Sequence, residues 1–123
     1  MDYPQTDTLE TVKRCCEALD GKKAIDVRVL DVVGKSSVTD YFVVATGNSE
    51  PHLRALGREL QKALQETGTS VVGSDKGAQS GWVVVDAFDF MVHLFLPEQR
   101  EYYQIEALWK DAEEVDVGEL MTA

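Results

Sequence analysis

The chain has 123 residues, the size of one domain, and its 44% hydrophobic content supports a core and argues against disorder. Twenty-two acids against 12 bases give a formal net charge of −10, which phosphate backbones repel, so a sequence-general grip on nucleic acid is not expected. No apolar run reaches the ~18 residues of a membrane span, and Met1-Asp2-Tyr3-Pro4 has the character of neither a signal nor a transit peptide, which predicts a cytoplasmic location.

Asp7 or Thr8 is placed to N-cap a first helix, in which Leu9, Val12, Cys16 and Leu19 fall at helical spacing before Asp20-Gly21 ends it. Cys15 and Cys16 are helical neighbours pointing in different directions, so the expectation is one in the core and one near the surface, with no bridge. Residues 24–33 alternate, Ile25, Val27 and Val29 against Asp26, Arg28 and Leu30, which predicts a half-buried strand. After a turn at Gly34-Lys35-Ser36-Ser37, the run Tyr41–Thr46 is apolar on both faces and reads as a central strand.

Ser49 is the expected N-cap of a long helix with Pro51 in its first turn, Leu53, Leu56, Leu60, Ala63 and Leu64 as its buried stripe, and Gly68 as its stop. The glycine-spaced stretch 69–80 reads as a loop or short edge strand. Strands at Trp82–Ala87 and Phe90–Leu96 follow, with a tight turn at Phe88-Asp89. Pro97-Glu98 opens a last helix with Tyr102, Ile105, Leu108 and Trp109 on its apolar face. The acidic stretch 113–123 has no periodicity and reads as a flexible tail beyond a single domain of residues 1–112. The resulting order, α-β-β-α-(β)-β-β-α, is an α/β architecture: a mixed sheet with helices mainly on one face.

Thr46-Gly47-Asn48-Ser49 at a helix start has the layout of a phosphate-gripping loop, although a glycine and a capping serine are also ordinary turn chemistry. The chain order is similar to the nucleotidyltransferase fold, whose metals are held by two carboxylates one residue apart. Here Met91 occupies the position two residues after Asp89, and Asp86 lies three residues before it, so converging carboxylates are not expected. No Gly-x-Ser-x-Gly motif occurs, neither His52 nor His93 has an evident nucleophile beside it, and no Cys/His set has ligand spacing. These residues predict a non-enzyme without cofactor or metal.

Binding is the better supported alternative. Trp82, Val84 and Asp86 share one face of their strand, and Met91, His93 and Phe95 share one face of the next. A tryptophan beside a carboxylate on an uncovered sheet face has the composition of a hot spot for a basic partner. The alternative is that Trp82 plugs a sheet edge or packs under the glycine-rich loop. The acidity likewise suits a basic protein partner, or solubility alone.

With these residues in place, the chain resembles the ribosomal silencing factor family (RsfS, or Iojap-like proteins) over about residues 8–112. The resemblance rests on Leu30-Asp31-Val32, Ser36-Ser37-Val38-Thr39-Asp40-Tyr41-Phe42 and Ala45-Thr46-Gly47-Asn48-Ser49 with His52. It continues through Gly81-Trp82-Val83-Val84-Val85-Asp86, Asp89, Val92-His93-Leu94-Phe95, and then Arg100, Tyr103, Glu106 and Leu108-Trp109. It implies a nucleotidyltransferase-like fold without catalysis, which docks on large-subunit ribosomal protein fourteen and blocks subunit joining, repressing translation in starvation. It also implies that Trp82, with Asp86, Asp40, Asp89 and His93, contributes to the partner face, that a homodimer forms in the free state, and that some relatives serve large-subunit assembly.

Overall fold

Apolar residues at helical spacing make two amphipathic helices, α1 (Gln5–Gly21) and α2 (Glu50–Glu66), which pack side by side on one face of a six-stranded sheet. The computed structural model describes residues 5–34, 39–69, 71, 73–75, 80–87, 89–108, 110 and 112–122. Lys35, Ser36, Ser37, Val38, Gly77, Phe88 and Trp109, which carry parts of the expectations above, lie outside the described residues.

The strands are β1 (Ile25–Asp31), β2 (Tyr41–Thr46), β3 (Gly73–Asp75), β4 (Trp82–Asp86), β5 (Phe90–Phe95) and β6 (Glu113–Val115). They lie in the order β3-β4-β5-β2-β1-β6, and β2 runs parallel to β5 while the other pairs are antiparallel. The mixed α/β architecture expected from the sequence is therefore present. β2 is buried along its whole length, as two apolar faces in a central strand require. Val29, Val43, Ala45, Val83, Val85, Val92 and Leu94 meet Val12, Leu19, Leu53, Leu56, Leu60 and Leu64 in one core. Among the described residues, no helix is long and apolar enough to cross a membrane.

Four expectations need correction. α1 begins at Gln5, so Asp7 and Thr8 sit within its first turns rather than capping it. Cys15 and Cys16 are both buried, because the packed β-sheet and α2 cover a wider arc of α1 than one narrow stripe; burial pushes both thiols up to about 12, so neither is a ready nucleophile. Ile25 is exposed rather than on the buried side of its strand. The cause is a register break between Ile25 and Arg28, where Asp26 takes a left-handed φ of 49°.

The fourth correction concerns the C-terminus. The stretch read as a flexible tail holds β6, which pairs Val115 with Val29, and a short helix α5 (Val117–Thr122). Val115, Val117, Leu120 and Met121 pack on the core. A periodicity search misses this because three strand residues and six helical ones complete no repeat.

The C-terminus of α2 closes in a Schellman motif: Gly68 N–H reaches Gln65 O and Thr69 N–H reaches Leu64 O, with Gly68 at φ 73°. Its N-terminus depends on Gly47. A Cβ there would lie 2.9 Å from Leu53 Cδ2 and 3.3 Å from both the Leu53 backbone nitrogen and Leu56 Cδ1. We therefore expect Gly47→Ala to destabilise the fold by about 1–3 kcal/mol through overpacking, read as a lower urea midpoint at unchanged m-value.

Candidate functional site

The sheet face opposite α1 and α2 carries a second, smaller cluster, Leu30, Val32 and Phe42, with Met91 and Ala112 against it. Beyond it lies a run of aromatic rings. Strand alternation puts Trp82 on this face, and the antiparallel register sets it opposite Phe95, whose ring stacks on the indole at 5.2 Å between centroids. Trp82 Nε1–H donates to His93 Nδ1 over 3.1 Å. Tyr103 closes from above, 4.5 Å from the Trp82 ring. Trp82 thus stays half-buried with one edge fixed.

Tyr103 comes from α3 (Pro97–Tyr103), which ends at Gln104 in a left-handed conformation before α4 (Ile105–Leu108) begins. The single last helix expected from the sequence is therefore broken. Tyr102, expected on its buried face, is 81% exposed. Arg100 sets the position of α3. Its Nη1 donates to Asp26 O at 2.7 Å and Thr46 Oγ1 at 2.8 Å, while Nη2 faces Glu106 Oε2 at 3.2 Å and Asp26 Oδ2 at 3.3 Å. The side chain is only 10% exposed. One planar cation thus ties α3 and α4 to the ends of β1 and β2.

The five residues expected at the docking face separate into groups. Trp82 and His93 touch. Asp40 and Asp89 meet through the backbone, Asp40 N–H donating to Asp89 O at 3.0 Å, just before the first residues of β2 and β5. Trp82 pairs with Phe95 at the far end of β5, so the two pairs stand about 17 Å apart along the strand. Asp86 sits nearer the acidic end, directly across from Met91. His93 is 5% exposed, so it lies beneath the face, where it holds the Trp82 indole.

Sequence reasoning did not place Tyr102 on this surface or assign Arg100 its positioning role. The adjacency of Tyr102 and Tyr103 was the available signal, since residues 100° apart on a helix do not share a narrow stripe.

Charge is distributed unevenly. Residues 70–123 hold 11 acids and three bases, whereas α1 and α2 together with Lys22 and Lys23 hold seven of each. The half of the chain that supplies the aromatic rings thus carries most of the net negative charge.

The turn at Gly47-Asn48-Ser49 uses the N–H groups of Gly47 and Asn48 internally. Gly47 N–H reaches Phe95 O at 2.9 Å, Asn48 N–H reaches His52 Nδ1 at 2.9 Å, and His52 N–H reaches Ser49 Oγ at 3.2 Å. With Nδ1 accepting, the proton sits on Nε2, which donates to Lys22 O over 2.8 Å. The turn is a strand–helix junction closed by its own side chains.

Burial lowers His93 to about 4 from the ordinary 6.5. Between these values the unfolded chain binds a proton that the folded chain refuses. The stabilising contribution is therefore complete above pH 6.5 and is lost as pH falls towards 4, by roughly 3 kcal/mol. Urea unfolding across that window should show this loss, and His93→Asn, whose Oδ1 can still accept from Trp82, should flatten the slope. Arg100→Lys, which keeps the charge without the fork, should lower stability by about 1–3 kcal/mol and alter Trp82 fluorescence as α3 loosens.

Comparison with known proteins locates this arrangement. The family model described as "Ribosomal silencing factor during starvation" matches residues 5–123, including the C-terminal strand and helix. A ribosomal silencing factor of Halalkalibacterium halodurans is 37% identical over 108 residues, covering 88% of this chain and 92% of its own. A crystal structure of a protein from Chromobacterium violaceum superposes with a TM-score of 0.78 at 43% identity, covering 82% of this chain and 84% of that one. The mouse protein named "Mitochondrial assembly of ribosomal large subunit protein 1" is 34% identical over 94 residues, 72% of this chain and 40% of its own length.

Proposed function

We propose, for a chain that belongs to the ribosomal silencing factor family, that it docks through the face around Trp82 on large-subunit ribosomal protein fourteen. Occupancy of that site blocks the small subunit from joining and so represses translation. The observation that carries this reading is the half-buried Trp82, held by His93 Nδ1 and flanked by Phe95 and Tyr103 in the most acidic half of the chain. A fixed aromatic anchor in an acidic surround supports recognition of a basic protein. On an RNA-rich particle, a chain of net charge −10 needs such a protein contact, because phosphates repel the rest of its surface.

The factor acts by occupancy and not by catalysis. Support comes from Met91, whose thioether stands two residues after Asp89, where two-metal chemistry would require a second carboxylate. The internally used donors of the Gly47-Asn48-Ser49 turn support the same reading. In the free state, a second copy of the chain is the occupant of the same apolar face.

A second reading, assembly of the large subunit without an effect on joining, is favoured by the name of the mouse relative. Sedimentation with purified large subunits and light scattering of subunit association separate the two. The chain should co-sediment and suppress joining, and Trp82→Ala should weaken both by at least about tenfold while keeping its circular dichroism spectrum. Stoichiometric binding with normal joining would instead establish the assembly role.

A further inference from the structure

Tyr102 is the most exposed large apolar side chain among the described residues, 81% open, and the family reading gives it no task. It is not isolated. Its ring stands edge-on to Tyr103 at 5.1 Å and 86°, and Tyr103, itself 45% exposed, lies 4.5 Å from Trp82. Two perpendicular rings with a third behind them make an open corner of aromatic faces. Such a corner attracts a cation through the ring quadrupoles.

The surrounding charge points the same way. Glu98 is exposed one helical turn before Tyr102, and Glu101 is exposed beside it. The one base of α3, Arg100, is engaged by Asp26, Thr46 and Glu106. It is therefore not available to fill the corner from within. A planar guanidinium is more weakly hydrated than an ammonium and stacks flat on a ring, so it suits walls of this shape better than a lysine does.

We infer that Tyr102, Tyr103 and Trp82 form a shelf that receives an arginine side chain of the basic protein partner, with Glu98 and Glu101 neutralising its charge. This inference rests on the docking reading above and adds to it the chemical group recognised. Trp82 supplies the fixed base of the shelf and Tyr102 its specificity for the cation.

Two measurements on the intact chain test it. In the first, large subunits are titrated with wild type, Tyr102→Phe, Tyr102→Leu and Trp82→Ala. Phenylalanine keeps the ring and should bind within about twofold of wild type, whereas leucine keeps apolar area without a π face and should lose roughly three- to thirtyfold. Wild-type affinity in Tyr102→Leu beside lost affinity in Trp82→Ala overturns the shelf and leaves docking intact. Absence of subunit binding by wild type overturns the docking reading instead.

The second measurement needs no ribosome. N-acetyl-arginine amide and N-acetyl-lysine amide are titrated separately while the ring resonances are followed by NMR. Larger shifts at Tyr102, Tyr103 and Trp82 with the arginine compound are expected. Equal shifts with both compounds, or none, overturn the assignment of a guanidinium.

Discussion

The placement of α3 over the aromatic face depends on Arg100. This guanidinium satisfies a backbone carbonyl and carboxylate of Asp26, the hydroxyl of Thr46 and the carboxylate of Glu106, and these three residues belong to three different elements, β1, β2 and α4. Asp26 holds a left-handed conformation that costs on the order of 1–3 kcal/mol in a non-glycine residue. Charge-assisted bonds to Arg100 offset that strain, and the break in β1 places the Asp26 carbonyl within reach of the cation. The left-handed Gln104 then reverses the chain so that Glu106 approaches Arg100 from the other side. The last residue of α3 is thereby set over Trp82.

Below the rings, a second polar contact fixes what Arg100 positions from above. His93 accepts from the indole through Nδ1, so its proton is on Nε2, and that nitrogen is buried with no partner among the described residues. An unsatisfied buried donor costs about 1–3 kcal/mol. The fold tolerates this cost, and the Trp82 ring gains a defined orientation before any partner arrives. A side chain already held in place loses less freedom on binding, which is where preorganised surfaces gain affinity. The buried histidine therefore sets the orientation of the exposed aromatic face from beneath it.

Much of the fold was legible because its signals are local. The apolar stripe Leu53, Leu56, Leu60, Ala63 and Leu64 is buried as its spacing requires, Ser49 caps α2, and β2 is central because both its faces are apolar. The candidate face was legible only in part. Period-two alternation put Trp82 and His93 on one side of the sheet, but alternation gives no burial depth, so His93 read as a contact residue. The break at Gln104 had no glycine or proline to announce it, and it sent Tyr102 outward. β6 and α5 were missed for a related reason. Each is too short to show a period, and each is stabilised by packing on β1 and the core rather than by its own sequence.

The strand–helix junction at Gly47 has the layout of an anion-gripping loop but meets its donors from within. A helix start binds anions because its first N–H groups lack acceptors. In this chain acceptors are supplied from within: Phe95 O for Gly47, His52 Nδ1 for Asn48 and Ser49 Oγ for His52. The His52 lone pair takes the part an anionic oxygen would play, and the bond from Nε2 to Lys22 O orients the ring. Gly47 is then needed for a steric reason, since Leu53 and Leu56 occupy the space a side chain would need. The same junction begins one residue after Thr46, which Arg100 grips, so closing it also stiffens the end of β2 from which α3 is held. A loop with the layout of a donor-presenting turn instead serves as the fixed support of the sheet end under the aromatic rings.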